Sequence, residues 1–252
     1  MSAFGRFSPS PSGFSEKCVV AAWFRLQGKD VDPEIHNDSF ASHLAKLVNL
    51  RAIKTILEIG SGSGNGSTQA LLQGIRQGRR DQRLFCLEAD PGHFRDLQSA
   101  VAGILGVEVF FGSSVHSDQI SSWKEVDAWF HENPDNRLLQ YGLSKVRDWW
   151  QGENQREPGI SSGWIEKIKD RHSLTFFDLV LIDGSEFTGE AELRQVYGSR
   201  WIALDDVRAF KNWNNRQTLL KDPAYRLVKE NLHLRNGFSI FCLRLPWFWG
   251  WV

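Results

Sequence analysis

The segment TILEIGSGSGNGST at residues 55–68 decides how this chain folds. A short apolar run that contains Glu58 leads straight into alternating glycines, and an amphipathic segment at residues 67–75 follows. This pattern predicts a strand, a tight loop and the start of a helix. The glycines at positions 60, 62, 64 and 66 carry no Cβ, so positive φ angles are accessible and a ligand can lie against the backbone. Because the loop opens a helix, its amide hydrogens favour a negatively charged group.

Two common phosphate-binding loops do not fit this segment. No Gly-Lys-Ser/Thr follows the glycines, which excludes a P-loop. The dinucleotide pattern Gly-x-Gly-x-x-Gly is a poor match, because the third glycine comes one residue late and a frame from Gly62 puts Ser67 in its place. A carboxylate at Glu58 would repel a pyrophosphate but suits a ligand that carries an ammonium group. Another nucleotide-binding loop and a plain structural turn both stay open.

The composition is that of one α/β domain with a sizeable core. The chain has 252 residues, of which 41% are hydrophobic and 24% charged. Its 30 Lys+Arg balance 30 Asp+Glu, so no charge excess argues for nucleic acid or an anionic membrane. Three separated cysteines, Cys18, Cys86 and Cys242, are interpreted as reduced thiols. With no apolar stretch of signal-peptide or membrane-spanning length, we expect a cytoplasmic protein.

Two later predicted strands end in polar side chains, which we expect to lie beside the glycine loop. The run LFCLE at residues 84–88 ends in Glu88, at the distance of one βαβ unit from the loop, where a carboxylate can accept both hydroxyls of a ribose. A helix cap is the alternative for this acid. The run VEVFFGSS at residues 107–114 ends in Ser113 and Ser114.

The pattern Glu-x-Gly-x-Gly-x-Gly after an apolar strand resembles motif I of the class I S-adenosylmethionine-dependent methyltransferases. In that family the loop holds the methionine and ribose of the cofactor. The resemblance implies that the adenine amine meets Ser113 or Ser114, for which an ordinary polar turn is the alternative. The implied cofactor-binding set is Glu58, Gly60, Ser61, Gly62, Gly64, Ser67, Glu88, Ser113 and Ser114.

Acidic residues also end the fourth and fifth predicted strands. The near-continuously apolar run FDLVLID ends in Asp183, and RWIALDD ends in Asp205 and Asp206. Neighbouring parallel strands lie about 4.8 Å apart, so these carboxylates should converge. They repel one another unless a cation sits between them, and oxygen ligands favour Mg²⁺, or else Mn²⁺ or Ca²⁺. The alternative is structural, with one aspartate capping a helix and another facing water.

Leu-Ile-Asp-Gly-Ser at residues 181–185, with Asp-Asp-Val at 205–207, is similar to the metal-dependent O-methyltransferases of the catechol type and their cephalosporin-hydroxylase-like and sugar-modifying relatives. The resemblance implies that Asp183, Asp205 and Asp206 hold a metal that clamps two acceptor oxygens. Glu186 stands where many relatives carry histidine, and Gly198-Ser199-Arg200 replaces the usual Gly-Gly. The candidate catalytic residues are Asp183, Asp206 and Glu186, with Glu186, Asp206 or an amino-terminal histidine as base where no metal binds.

The whole chain, residues 1–252, is predicted to form one doubly wound, mostly parallel α/β domain. Residues 1–50 form an amino-terminal helical segment, and residues 115–175 form a tryptophan-rich helical insertion that acts as an acceptor lid or as a packing or dimerisation element. A hairpin around Arg235-Asn236-Gly237 closes the sheet, which in the methyltransferase family distinguishes it from the sheet of dehydrogenases. The aromatic tail at residues 246–252 packs on its own domain, at a dimer interface or on a membrane surface.

These features together predict a methyltransferase that uses S-adenosylmethionine, with a hydroxyl oxygen of a small molecule or a glycan as acceptor. The expected partners are that acceptor and a second copy of the chain, contacted through the insertion or the tail, with no nucleic acid. One rival is an NAD-dependent oxidoreductase. The other is a non-catalytic protein-binding module on the same fold, which fold-level analogy does not exclude.

Overall fold

The computed structural model describes residues 35–78, 81–155 and 161–244. Its α-helices are α1 (Ser39–Val48), α2 (Ser67–Gln77), α3 (Pro91–Ala100), α4 (Trp123–Glu132), α5 (Leu143–Asn154), α6 (Trp164–His172), α7 (Gly189–Val196) and α8 (Phe210–Lys221). Its strands are β1 (Thr55–Ile59), β2 (Arg83–Glu88), β3 (Val107–Phe111), β4 (Leu179–Ile182), β5 (Trp201–Asp205), β6 (Tyr225–Asn231) and β7 (Phe238–Leu243). Two short 3₁₀ helices cover Ser117–Gln119 and Arg137–Gln140.

The strands form one seven-stranded sheet in the order β3-β2-β1-β4-β5-β7-β6. The first five strands in that order are parallel, and β7 runs antiparallel to both β5 and β6. Ile182 is in register with Ile59 on one side and Leu204 on the other, so the chain leaves β1, β4 and β5 at the same edge of the sheet. The predicted doubly wound sheet with an antiparallel carboxyl-terminal hairpin is confirmed.

Helices cover both faces of this sheet because its central strands are apolar on both sides. All four residues of β4 are buried. On one face, Ile56 and Leu179 belong to an apolar cluster that includes Phe40 and Leu44 of α1 and Leu71 of α2. On the other face the neighbouring strand positions pack with the inner sides of helices α6, α7 and α8, through Leu57, Val180, Ile168, Leu193 and Leu219. The core therefore lies in two layers, one on each side of the strands.

The insertion at residues 115–175 is helical where it is described, as predicted. Its helices α4 and α5 form a third apolar cluster that includes Val126, Trp129 and Val146. The same cluster contains Phe187 and Phe210, which follow β4 and β5. The insertion is therefore anchored on the edge of the sheet where the predicted acidic residues lie.

The closing hairpin differs in detail from the prediction. The sequence predicts the turn at Arg235-Asn236-Gly237, but β6 already ends at Asn231. The Asn231 side chain accepts the amides of His233 and Leu234, at 2.9 and 3.2 Å, which turns the chain away from the strand direction. Arg235 then adopts a positive φ of 48°. The connection is therefore a six-residue loop and not a tight two-residue turn.

Some predictions fall outside the described residues. These are residues 1–34 of the predicted amino-terminal helical segment, which include Cys18, and the aromatic tail at 246–252. Among the cysteines, Cys86 and Cys242 are buried free thiols. No helix in the described ranges has the length and apolar character needed to span a membrane.

Candidate active site

The glycine loop joins β1 to α2, as the sequence predicts. Three of its glycines adopt positive φ, at 82° for Gly60, 56° for Gly62 and 80° for Gly64, whereas Gly66 is the N-cap of α2 with φ −96°. A Cβ on Gly60 would lie 2.1 Å from the carbonyl oxygen of Asp183, and one on Gly64 would lie 3.0 Å from Leu97. A Cβ on Gly62 would meet open space. Packing within the protein therefore excludes a side chain at Gly60 and disfavours one at Gly64, whereas the Cα of Gly62 is open to a ligand.

Glu58 does not face the ligand side of the loop. Its carboxylate is fully buried and accepts the hydroxyls of Ser67 at 2.6 Å and Thr68 at 2.7 Å. Burial raises the pKa of Glu58, and these hydrogen bonds only partly offset it. The expectation that Glu58 borders a ligand ammonium group is therefore not met. The acid instead holds the first turn of α2 against the end of β1.

A cavity of about 330 Å³ lies over the loop, at the carboxyl ends of the parallel strands. Of the predicted cofactor-binding residues it is lined by Gly60, Gly62, Glu88, Ser113 and Ser114. The remaining members of that set, Glu58, Ser61, Gly64 and Ser67, do not line it. Ser61 and Ser67 are buried below the loop, where they support its shape.

Glu88 closes the cavity on the side of β2. Its Oε1 accepts the amides of Ala89 and Asp90 at 2.8 and 2.7 Å, and its Oε2 accepts the amide of Gly62 at 2.7 Å. A carboxylate offers about four lone-pair sites, so three amides leave room for about one further donor. This is fewer than the two ribose hydroxyls predicted from the sequence. Glu88 also fixes the distance between β2 and the glycine loop.

The opposite wall contains a buried acid that the sequence analysis did not single out. Oε1 of Glu192, on α7, accepts the hydroxyls of Ser114 at 2.6 Å and Thr188 at 2.8 Å. Its Oε2 is also buried but has no hydrogen-bond partner within the described part of the chain. Glu192, Ser114 and Thr188 all line the cavity. A ligand that donates a hydrogen bond there would satisfy this oxygen.

The three predicted aspartates do meet beside the cavity. One carboxylate oxygen from each of Asp183, Asp205 and Asp206 lies within 4.8 Å of the others. Asp183 and Asp205 end adjacent strands, and Asp206 follows with a positive φ of 54°. Buried Asn212 of α8 donates to the carbonyls of Ile182 and Asp205, at 2.9 and 2.6 Å, and so ties the two strand ends together.

Each of these carboxylates already has a cationic partner within the protein. The Nζ of Lys211 lies 2.7 Å from Oδ1 of Asp183 and 3.0 Å from Oδ2 of Asp206. Arg235 donates to Asp205 at 2.8 Å and also binds Asp38, the N-cap of α1. The residues therefore do not fit a divalent metal as they stand, because an ammonium group fills the space between two of its implied ligands.

Glu186 and Tyr141 lie near this acidic group. Oε1 of Glu186 accepts the backbone amide of Lys211 at 2.9 Å. Burial raises the pKa of Glu186 to about 7, although the charge of Lys211 opposes the shift. Partial burial and the charges of Asp206 and Glu186 raise the pKa of Tyr141, which belongs to the insertion. The insertion thus brings a phenol within electrostatic reach of the predicted catalytic residues.

Comparison with solved structures identifies the fold. A protein assigned as an O-methyltransferase from Klebsiella pneumoniae aligns with a TM-score of 0.50 at 18% identity, over 90% of this chain and 97% of the other. A protein assigned as a caffeoyl-CoA O-methyltransferase from Staphylococcus aureus gives 0.51 at 13%, over 92% and 93%. A methyltransferase from Geobacter sulfurreducens gives 0.51 at 10%, over 93% and 91%. The chain has the class I methyltransferase fold. No family model and no curated protein matches the sequence.

In this methyltransferase fold, two of the residues that sequence reasoning missed, Lys211 and Glu192, had recognisable signals. Lys211 lies in the first turn of α8, where the positive end of the helix dipole disfavours a cation. Because Asp205 and Asp206 come just before that helix, an ion pair with a nearby acid is the expected compensation. Glu192 comes four residues before buried Val196, so helical spacing puts it on the inner face of α7. Arg235 gave no such signal, because its position depends on how the hairpin loop folds back.

Proposed function

We propose that this protein is an S-adenosylmethionine-dependent methyltransferase that methylates a hydroxyl oxygen of a small molecule or a glycan. The observation that carries this proposal is the cavity lined by the open Gly62 backbone and by the Glu88 carboxylate that contacts it. This arrangement suits the ribose and methionine of the cofactor. A carboxylate in direct contact with the loop amide disfavours the pyrophosphate of a dinucleotide.

The adenine of the cofactor fits the unsatisfied acid on the opposite wall. Oε2 of Glu192 lacks a partner within the described residues, and an exocyclic amine would supply the missing donor. The hydroxyl of Ser114 donates to Glu192, so its own oxygen stays available as an acceptor. These contacts support a nucleoside that carries an amine, such as adenosine.

When bound, S-adenosylmethionine supplies an electrophilic methyl group on a sulfonium centre. The protein then has to align an acceptor hydroxyl and remove its proton. Glu186 is suited to take that proton onto its carboxylate, because a pKa of about 7 matches proton transfer near neutral pH. The backbone amide of Lys211 holds the carboxylate in position at 2.9 Å. Asp183 lines the cavity itself and connects the cofactor side to the acidic group.

The insertion supports an acceptor site next to this base. Tyr141 and Trp149 make an edge contact, with 4.9 Å between ring centroids, and both side chains are partly exposed. Glu153 of α5 lines the cofactor cavity. An acceptor held by these aromatic side chains would lie between the insertion and Glu186. Self-association through the insertion or the tail stays a prediction, which analytical ultracentrifugation would test.

Thermal unfolding with S-adenosylhomocysteine tests the proposal. At a concentration of 100 times its Kd, a ligand stabilises by about 2.7 kcal/mol, roughly 5 to 10 °C in Tm for a chain of this size. We expect this rise with S-adenosylhomocysteine and none with NADH. Glu88→Gln should reduce the rise, whereas Asp96→Asn, at an exposed position on α3, should not change it. A rise with NADH alone would favour the oxidoreductase, and no rise with either ligand would favour the binding module.

A further inference from the structure

The acidic edge of the sheet holds a lysine where the sequence predicts a metal. The side chain of Lys211 is only 5% exposed, and its Nζ contacts Asp183 and Asp206 at 2.7 and 3.0 Å. Oxygens of these two aspartates and of Asp205 lie within 4.8 Å of one another. The ammonium group is therefore inside the cluster and not at its rim.

A divalent ion and this ammonium group compete for the same carboxylate oxygens. A magnesium ion bound to Asp183 and Asp206 would lie about 2.1 Å from an oxygen of each. Lys211 Nζ already lies within 3.0 Å of one oxygen of each of these carboxylates, so an ion bound to the same oxygens would lie at most about 5 Å from it. An ammonium nitrogen has no lone pair to act as a ligand, and the two cations repel each other strongly at such a distance.

The surroundings keep Lys211 charged and in place. Burial lowers its pKa, but the attraction of the nearby carboxylates is larger, and the net result is a pKa well above the ordinary value. The Lys211 backbone amide is also held by Glu186. The third aspartate, Asp205, is engaged by Arg235, whose own side chain is 4% exposed. Each of the three implied metal ligands thus has a cationic partner.

We propose that Lys211 is the resident cation of this site and that the site works without a divalent metal. The ammonium group holds Asp183 and Asp206 together against their mutual repulsion. The role of the site in methyl transfer rests on the proposed function, whereas the exclusion of a metal rests on the geometry alone. Because no metal ionises the acceptor hydroxyl here, removal of its proton depends on Glu186.

Titration with Mn²⁺, followed by the electron paramagnetic resonance signal of the free ion, tests this inference. We expect the unmodified protein to leave the ion free. Lys211→Met exposes the carboxylates to the solution and should bind one Mn²⁺ per chain, at least tenfold more tightly. Lys169→Met is the matched control, because Lys169 binds the carbonyl of Gln195, outside the acidic group, and should leave the ion free. Circular dichroism and thermal unfolding establish that each variant is folded.

Two results would overturn the proposal. One is a Mn²⁺ ion bound by the unmodified protein and lost in Asp206→Asn, a measurement that holds even if Lys211→Met does not fold. The other is a folded Lys211→Met variant that binds no ion. Calorimetric titration with S-adenosylhomocysteine keeps the two proposals separate. If S-adenosylhomocysteine does not bind but the Mn²⁺ results are as expected, the proposed methyltransferase function is wrong. The proposal that Lys211 is the resident cation of the site would still stand.

Discussion

Replacing Glu186 by glutamine should make the protein more stable and less active. Glutamine has nearly the same shape, and its carbonyl oxygen can still accept the amide of Lys211, which Oε1 of Glu186 accepts at 2.9 Å. The substitution removes only the ionisable group. Burial raises the pKa of that group from 4.5 to about 7, with the charge of Lys211 opposing the shift.

The sign of the effect follows from this pKa. A carboxyl group with a higher pKa in the folded state than in the unfolded state binds its proton more tightly when folded. Its ionisation therefore lowers the free energy of unfolding progressively as the pH rises from about 4.5 to about 7. Each pKa unit corresponds to about 1.4 kcal/mol, so Glu186→Gln should gain about 1 to 3 kcal/mol above pH 7.

Urea unfolding at pH 5 and pH 8 measures this gain. The difference between Glu186→Gln and the unmodified protein should be small at pH 5 and should widen towards pH 8. Glu132→Gln, at an exposed position of α4, serves as a control and should show no widening. Loss of the base should lower the rate of methyl transfer by about 10²- to 10⁴-fold. A stability difference that stays constant or shrinks as the pH rises would refute the raised pKa of the Glu186 carboxyl.

Three further substitutions test the loop, the cavity and the sheet. Gly60→Ala should prevent folding because its Cβ would meet the Asp183 carbonyl at 2.1 Å, whereas Gly62→Ala, with open space at its Cβ, should cost only about 1 to 2 kcal/mol. Equal unfolding midpoints in urea would contradict this contrast. Glu88→Gln replaces a carboxylate oxygen by an amide donor that faces backbone amides. Calorimetric titration should show that this variant binds S-adenosylhomocysteine about tenfold more weakly. An unchanged affinity would show that Glu88 is not part of the binding site. Tyr225→Phe removes a hydroxyl that accepts the Gly198 amide at 3.0 Å and should lower the free energy of unfolding by about 1 kcal/mol. A denaturation curve identical to that of the unmodified protein would disprove this.

Most of the fold was predictable because its signals are local. Apolar runs with an acid at or near their end located β1, β2, β4 and β5, and alternating glycines located the first loop. The edge at which the acids meet then followed from parallel pairing alone. The boundary of β6 was not predictable in the same way, because Asn231 ends the strand through side-chain bonds to His233 and Leu234.

The details of the site were less accessible than its location. The sequence correctly predicted that Glu58 lies beside the glycine loop, but it did not show on which side of the backbone its carboxylate lies. Burial between β1 and α2 turns it towards Ser67 and Thr68. The aspartates came together as predicted, but their partners Lys211 and Arg235 are contributed by a later helix and by the hairpin loop. Such contacts over long sequence separations leave no periodic pattern to read.

The order of strands in the sheet has a consequence for biosynthesis. Strand β7 follows β6 along the chain but is inserted between β5 and β6 in the sheet. A nascent chain on the ribosome that ends before Phe238 leaves β5 with an unpaired edge, which is a site for aggregation. Arg235 sits just ahead of β7, so the counter-charge of Asp205 also arrives late. Both the sheet and its acidic edge are therefore completed only after the hairpin loop and β7 have been made.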